Sequence, residues 1–255
     1  MMTKALLVTL CLALTACGSP PRLPEAPAEP AQTKEAPPSA DIPESLPVGS
    51  RKSRIIEAAK AEWDYFGRQE VVYEGYEESI PRVGIWEDED YSHSDRINQY
   101  WRAVGKNRLS GKDCREPWSA AFISWIMWAA GVPKHVFPPS GAHRSYLDRF
   151  LANAHHPDAA WKPRTLQEYR PRPGDLICAY RGRSRSGEAL GELPSTLNPQ
   201  LHCDIVVESK GQTLQAVGGN VRNSVSKSIL TLSPDGYLQP TSGRPWFLIV
   251  ENRLD

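Results

Sequence analysis

Asp113 to Pro133, DCREPWSAAFISWIMWAAGVP, constrains this chain more than any other stretch. From Pro117 to Ala130 the apolar residues run almost unbroken, a length that suits a helix rather than a strand, and Gly131 followed by Pro133 supplies the stop. A helix apolar on most of its circumference must be buried, so the domain has to be built around it. Pro117 suits the first helical position, where a missing N–H costs nothing, and Asp113 or Glu116 favours the positive end of the helix dipole. Ser119 then falls in the first turn, with Cys114 just before it. A nucleophile at the start of a buried helix gains from unpaired N–H groups and a dipole that both favour an anion.

The chain opens with a short basic region ending at Lys4 and an apolar run from Ala5 to Leu14, about ten residues and too short to span a bilayer. This reads as a secretion signal over residues 1–16. Leu14-Thr15-Ala16-Cys17 resembles a lipobox, which makes Cys17 the expected lipidated residue and the membrane an expected partner through that lipid. Gly18 and Ser19 follow, with no aspartate to favour inner-membrane retention, so the expectation is an anchor in the outer membrane facing the periplasm. The rest of residues 17–50 is dense in Pro, Ala, Glu and Ser with almost nothing bulky to bury, and reads as an extended, disordered spacer.

Residues 51–255 are enough for one domain with a proper core. Thirty basic residues balance thirty acidic ones, which argues against a nucleic-acid partner. Periodicity predicts an amphipathic helix over Ser53–Phe66, a short helix over Ser94–Val104, and a third over Ser140–Ala154 with Ser140 as its cap. His143, on that helix's first turn, either lines a cleft near the start of the central helix or covers a helix end, the second being favoured. Val71 to Asn107 otherwise reads as irregular, and its acidic run Glu87–Asp90 as a solvated loop. Strands are expected at Asp175–Tyr180, His202–Glu208, Thr213–Val217, Ser226–Leu232 and Trp246–Glu251. Helices first and then an antiparallel sheet make an α+β domain. Arg181–Gln200, rich in Arg, Ser and Gly, is an insertion between strands, either a lid or a surface loop.

PWSAAFISWIMWAAGVP is similar to the nucleophile helix of the NlpC-type and CHAP amidohydrolases, papain-like enzymes that cut peptidoglycan amides. Ser119 stands where that superfamily has its cysteine. RPGDLICAY (Arg172–Tyr180) resembles their Pro-Gly-Asp-Leu turn and first barrel strand, and LHCDIVVE (Leu201–Glu208) the strand carrying the general-base histidine, which falls on His202. AVGGNV (Ala216–Val221) resembles the end of the next strand, whose polar residue orients the histidine, here Asn220. The chain also resembles an uncharacterised family of bacterial lipoproteins in which serine at this position is usual. The resemblance implies a papain-like fold, helices packed on an antiparallel sheet or half-barrel, and peptidoglycan peptides as substrate. It implies acyl transfer by Ser119, or by Cys114 displaced into that role, with His202 as base.

Asp204 shares a strand face with His202 and is an alternative orienter. No cofactor is expected, and a metal held by His202, Cys203 and Asp204 is disfavoured because consecutive strand residues point to opposite faces. The superfamily fold would set Cys178 beside Cys203, which leaves two readings open: a disulfide, or two unpaired core cysteines, the latter favoured. The competing functional readings are a catalytically degenerate domain that binds peptidoglycan or a partner without cutting, and a structural lipoprotein. Oligomeric state is left open.

Overall fold

The computed structural model describes residues 49–75, 77–181, 192–197, 200–241 and 243–254. The secretion signal, Cys17 and the proline-rich spacer lie outside the described residues, as does most of the Arg181–Gln200 insertion. Among the described residues four helices, α1 (Arg51–Tyr65), α2 (Tyr91–Ala103), α3 (Ser119–Ala129) and α4 (His143–Ala152), accompany eight strands in one sheet. The strands are β1 (Gln69–Glu74), β2 (Glu77–Arg82), β3 (Trp161–Arg164), β4 (Leu176–Tyr180), β5 (Leu201–Lys210), β6 (Thr213–Val221), β7 (Ser224–Thr231) and β8 (Trp246–Asn252). Their order is β2-β1-β7-β6-β5-β4-β8-β3, antiparallel throughout except for β1 against β7. The fold is therefore α+β, with a mostly antiparallel sheet.

α3 is the buried axis that its sequence requires: every residue from Ser119 to Met127 is buried, and Trp128 alone emerges as a large exposed side chain. Its start differs from expectation. Trp118 is the N-cap and Pro117 lies outside the helix, so Ser119 is the first helical residue. No side chain caps this end, which leaves the first-turn N–H groups unclaimed by a cap. α1 begins on a Ser50 cap whose side chain accepts from the Ser53 N–H, and α2 on Asp90, which accepts from the His93 N–H. α4 starts three residues later than expected, with Ala142 as its N-cap, and Ser140 reaches with its hydroxyl only the Ala142 N–H, short of the helix. Its backbone is instead pinned to α3, the Ser124 hydroxyl lying 3.0 Å from both the Ser140 N–H nitrogen and its carbonyl oxygen.

Three strands went unread. β1 and β2 occupy part of the segment whose sequence shows no regular pattern, and β3 pairs with β8 at the far edge. The acidic run is not wholly solvated either. Asp90 is a helix cap, and Glu87 is buried, its carboxyl accepting from the indole N–H of Trp118 and, at 3.1 Å, from the Asn220 amide. Cys178 and Cys203 form a disulfide rather than remaining unpaired. β4 and β5 pair with these residues directly opposite, 4.1 Å apart at Cα, close enough for two sulfurs to bond without moving the backbone.

Candidate functional site

A cleft of about 400 Å³ opens at the front of α3, lined by Ser119, Ala120, His143, Arg181 and Leu201 among others. Ser119 and His143 are both almost fully covered, yet both reach its wall. Their side chains meet there: Ser119 Oγ lies 2.7 Å from His143 Nε2. The other ring nitrogen, Nδ1, is bonded to the Tyr146 hydroxyl one turn along α4. That i, i+3 spacing sets the phenol beneath the imidazole, and the Ser124 staple to Ser140 brings the first turn of α4 against α3.

His202 occupies the next layer. It is 1 % exposed, on β5, with its ring edge-to-face with His143 at 5.8 Å. Its Nε2 is 2.5 Å from Asp204 Oδ1, and Asp204 Oδ2 accepts from the Ser228 hydroxyl at 2.8 Å with the Arg244 guanidinium 3.8 Å away. Among the described residues His202 Nδ1 has no hydrogen-bond partner. The two glycines of AVGGNV now have a physical reason. A Cβ at Gly218 would stand 1.7 Å from Asp204 Oδ1, and one at Gly219 would meet Phe122 at 2.5 Å and Trp118 at 2.7 Å. The first makes room for the His–Asp pair and the second lets β6 approach α3.

Electrostatics hold this cluster neutral at its imidazoles. Burial pushes His143 well below the ordinary histidine value, with His202 and Arg181 adding to the effect. Burial likewise takes His202 down to about 4, against the pull of Asp204. Burial of Asp204 favours its protonated form but is outweighed by His202, Arg244 and the Ser228 hydroxyl, so its carboxyl lies below the usual range. At neutral pH both rings are uncharged and Asp204 is ionised.

The residues singled out from sequence are thus only partly gathered. Ser119, His202 and Asp204 belong to one buried cluster, but the imidazole bonded to Ser119 is His143, and the residue that bonds His202 is Asp204, not Asn220. Asn220 instead bridges Glu87 and Arg181, its Oδ1 accepting from the guanidinium at 3.0 Å. Cys114 is exposed, its thiol 3.8 Å from an Asp88 carboxylate oxygen. Desolvation, then Glu87 and Asp88, raise its pKa, the opposite of activation. Tyr146 and Arg181 were missed. Tyr146 carries a signal in hindsight, since it lies one turn from a histidine on a helix start; Arg181 sits at the edge of a low-complexity insertion that masks it.

Among the described residues no helix is long and apolar enough to cross a membrane. A family model described as an uncharacterised protein conserved in bacteria matches residues 80–253, which include every cleft and cluster residue named above. No curated protein and no solved structure matches the chain.

Proposed function

We propose that this chain, which belongs to the DUF2272 family, is a cell-envelope hydrolase of papain-like ancestry that cleaves amide bonds of peptidoglycan peptides by acyl transfer. The observation that carries the reading is the Ser119–His143 hydrogen bond on the wall of a solvent-reaching cleft at an uncapped helix start. Ser119 Oγ attacks the carbonyl carbon while its proton passes to His143 Nε2. Tyr146 accepts from Nδ1–H and so holds the ring in the tautomer whose Nε2 is free to take that proton. The first-turn N–H groups of α3 face the oxygen that becomes negative. His143 then returns the proton to the departing amine, and water repeats the sequence to release the acid. His202, paired with Asp204, backs the first imidazole; the superfamily resemblance gives it the base's position, but the hydrogen bond to Ser119 favours His143 for that role.

Substrate and location rest on sequence. The resemblance over Pro117–Gly131 points to murein amides, and the segment ending at Cys17 to an exported, lipid-anchored protein held by its spacer within reach of the outer membrane. A second reading, a domain that binds murein without cutting it, is favoured by one observation: the partner of His143 Nδ1 is a neutral phenol, with no carboxylate to stabilise an imidazolium.

The test is digestion of purified murein by the full chain, followed as newly released amines. Ser119→Ala and His143→Ala should each lower the rate by at least ~100-fold and Cys114→Ala should not. Absence of any released amine from wild type, with retained sedimentation on murein, moves the assignment to the binding reading; undiminished activity in Ser119→Ala removes Ser119 as nucleophile.

A further inference from the structure

The cleft is charged on one side. Of the described residues that line it, Arg181 alone carries a permanent charge, since burial keeps His143 neutral. The guanidinium is aimed by Asn220, which sits in a left-handed conformation at φ 57° directly after Gly219 and spends its amide nitrogen on buried Glu87. Arg181 is therefore oriented by a neutral amide, and among the described residues no carboxylate pairs with it directly. Arg244 and Asp204 act on it electrostatically with opposite signs, and Asp204 is itself paired with Arg244 at 3.8 Å. The positive end of α3 points into the same space. A guanidinium has five N–H donors in a rigid fork, and one bond to Asn220 leaves an edge able to take both oxygens of a carboxylate.

We propose that Arg181 is a specificity residue that binds a free carboxylate of the substrate beside the amide attacked by Ser119, so that the site takes anionic peptides and discriminates against their amidated forms. This deepens the hydrolase reading and rests on it for the identity of the attacked bond, but carboxylate binding can be measured separately from cleavage. The glutamate relay explains why Arg181 is not simply neutralised. Glu87 acts on it only through Asn220, fixing direction without occupying the edge that the ligand needs.

The probes are soluble muropeptides and the same muropeptides with their carboxylates converted to amides. Binding is measured calorimetrically on the full chain carrying Ser119→Ala, so that no turnover intervenes, and kcat/KM on the wild-type nucleophile. Native muropeptides should bind roughly 10- to 100-fold more tightly than amidated ones, the scale of one charge-assisted pair. Arg181→Gln should bring that ratio to about one, and Arg181→Lys should keep part of it. A change in the ratio is not produced by general loss of structure, which weakens both ligands alike. Equal affinity for the two forms, a preference that survives Arg181→Gln, or no binding of either form overturns the proposal. Carboxylate-dependent binding without hydrolysis upholds it while refuting the hydrolase reading.

Discussion

Gly218→Ala isolates the buried His202–Asp204 pair. The backbone at 218 is not left-handed, so alanine is conformationally allowed and replacing glycine in a strand should by itself gain about 0.5–1 kcal/mol. The obstacle is the Asp204 carboxylate, whose Oδ1 would lie 1.7 Å and Cγ 2.7 Å from the new methyl. The carboxylate has to move, and in moving it loses the His202 N–H and the Ser228 hydroxyl while staying far from water. Leaving a buried carboxylate without its hydrogen-bond donors is an uncompensated buried charge that costs about 3–5 kcal/mol, so the net loss should be about 2–4 kcal/mol. In an Asp204→Ala background no carboxylate remains to be met, and Gly218→Ala should become neutral or slightly stabilising. Urea unfolding of the four proteins, followed by tryptophan fluorescence at pH 7, closes this double-mutant cycle with a coupling near 3 kcal/mol. Equal costs in both backgrounds, or a loss below about 1 kcal/mol in the first, would refute the placement of Asp204 against β6.

Acid should destabilise the domain through its imidazoles. His202 ionises at about 4 in the fold against about 6.5 when unfolded, so the unfolded chain binds the proton first as pH falls; stability held above about 6.5 is lost progressively toward 4, by about 3 kcal/mol for this group, and His143 adds in the same direction. His202→Asn should flatten that slope in unfolding curves taken at pH 7 and pH 4; an unchanged slope assigns it elsewhere. Reducing Cys178–Cys203, which are 25 residues apart, should cost on the order of 3 kcal/mol, and native protein should alkylate Cys114 but neither of these until it is unfolded with reductant.

What could be read from sequence follows from how each signal is encoded. α3 was legible because an unbroken apolar run of that length has one solution, and the five strands after Pro173 because alternation and turn residues are local. β2 was not, since it is mostly exposed and carries Pro81 on an edge, leaving no period to find, and β1 alternates over only six residues that open on the polar Gln69 and Glu70. The disulfide depended on register: strand adjacency can be inferred from order, but the exact facing of Cys178 and Cys203 is set by the whole sheet. His143 was visible as a residue near the cleft, yet its claim on Ser119 arises from the Ser124 bond to Ser140, a contact between α3 and the segment before α4 with no periodic signature. Asn220 and Asp204 were both credible partners for His202. The choice fell to Asp204 because Gly218 leaves space on that side and Asn220 turns away to Glu87.

The serine at the helix start is consistent with the charges around it rather than a defect in a thiol site. A thiol enzyme rests as a thiolate beside an imidazolium, a pair that ionises at about 3–4 in such sites. Here both histidines are driven toward neutrality by burial, and Arg181 and Arg244 further penalise a positive ring. A neutral imidazole accepting from a neutral hydroxyl is the resting state that general-base attack by serine requires, and burial supplies it without a carboxylate on Nδ1. Ser119→Cys should therefore not create an ion pair. Thiolate absorbance at 240 nm, measured as the difference between Ser119→Cys and wild type, should be missing at pH 5 and rise only at higher pH. Absorbance persisting at pH 5 would mean that the imidazole can hold a proton beside an anion in this cleft, and the neutral resting state, with the serine mechanism built on it, would be wrong.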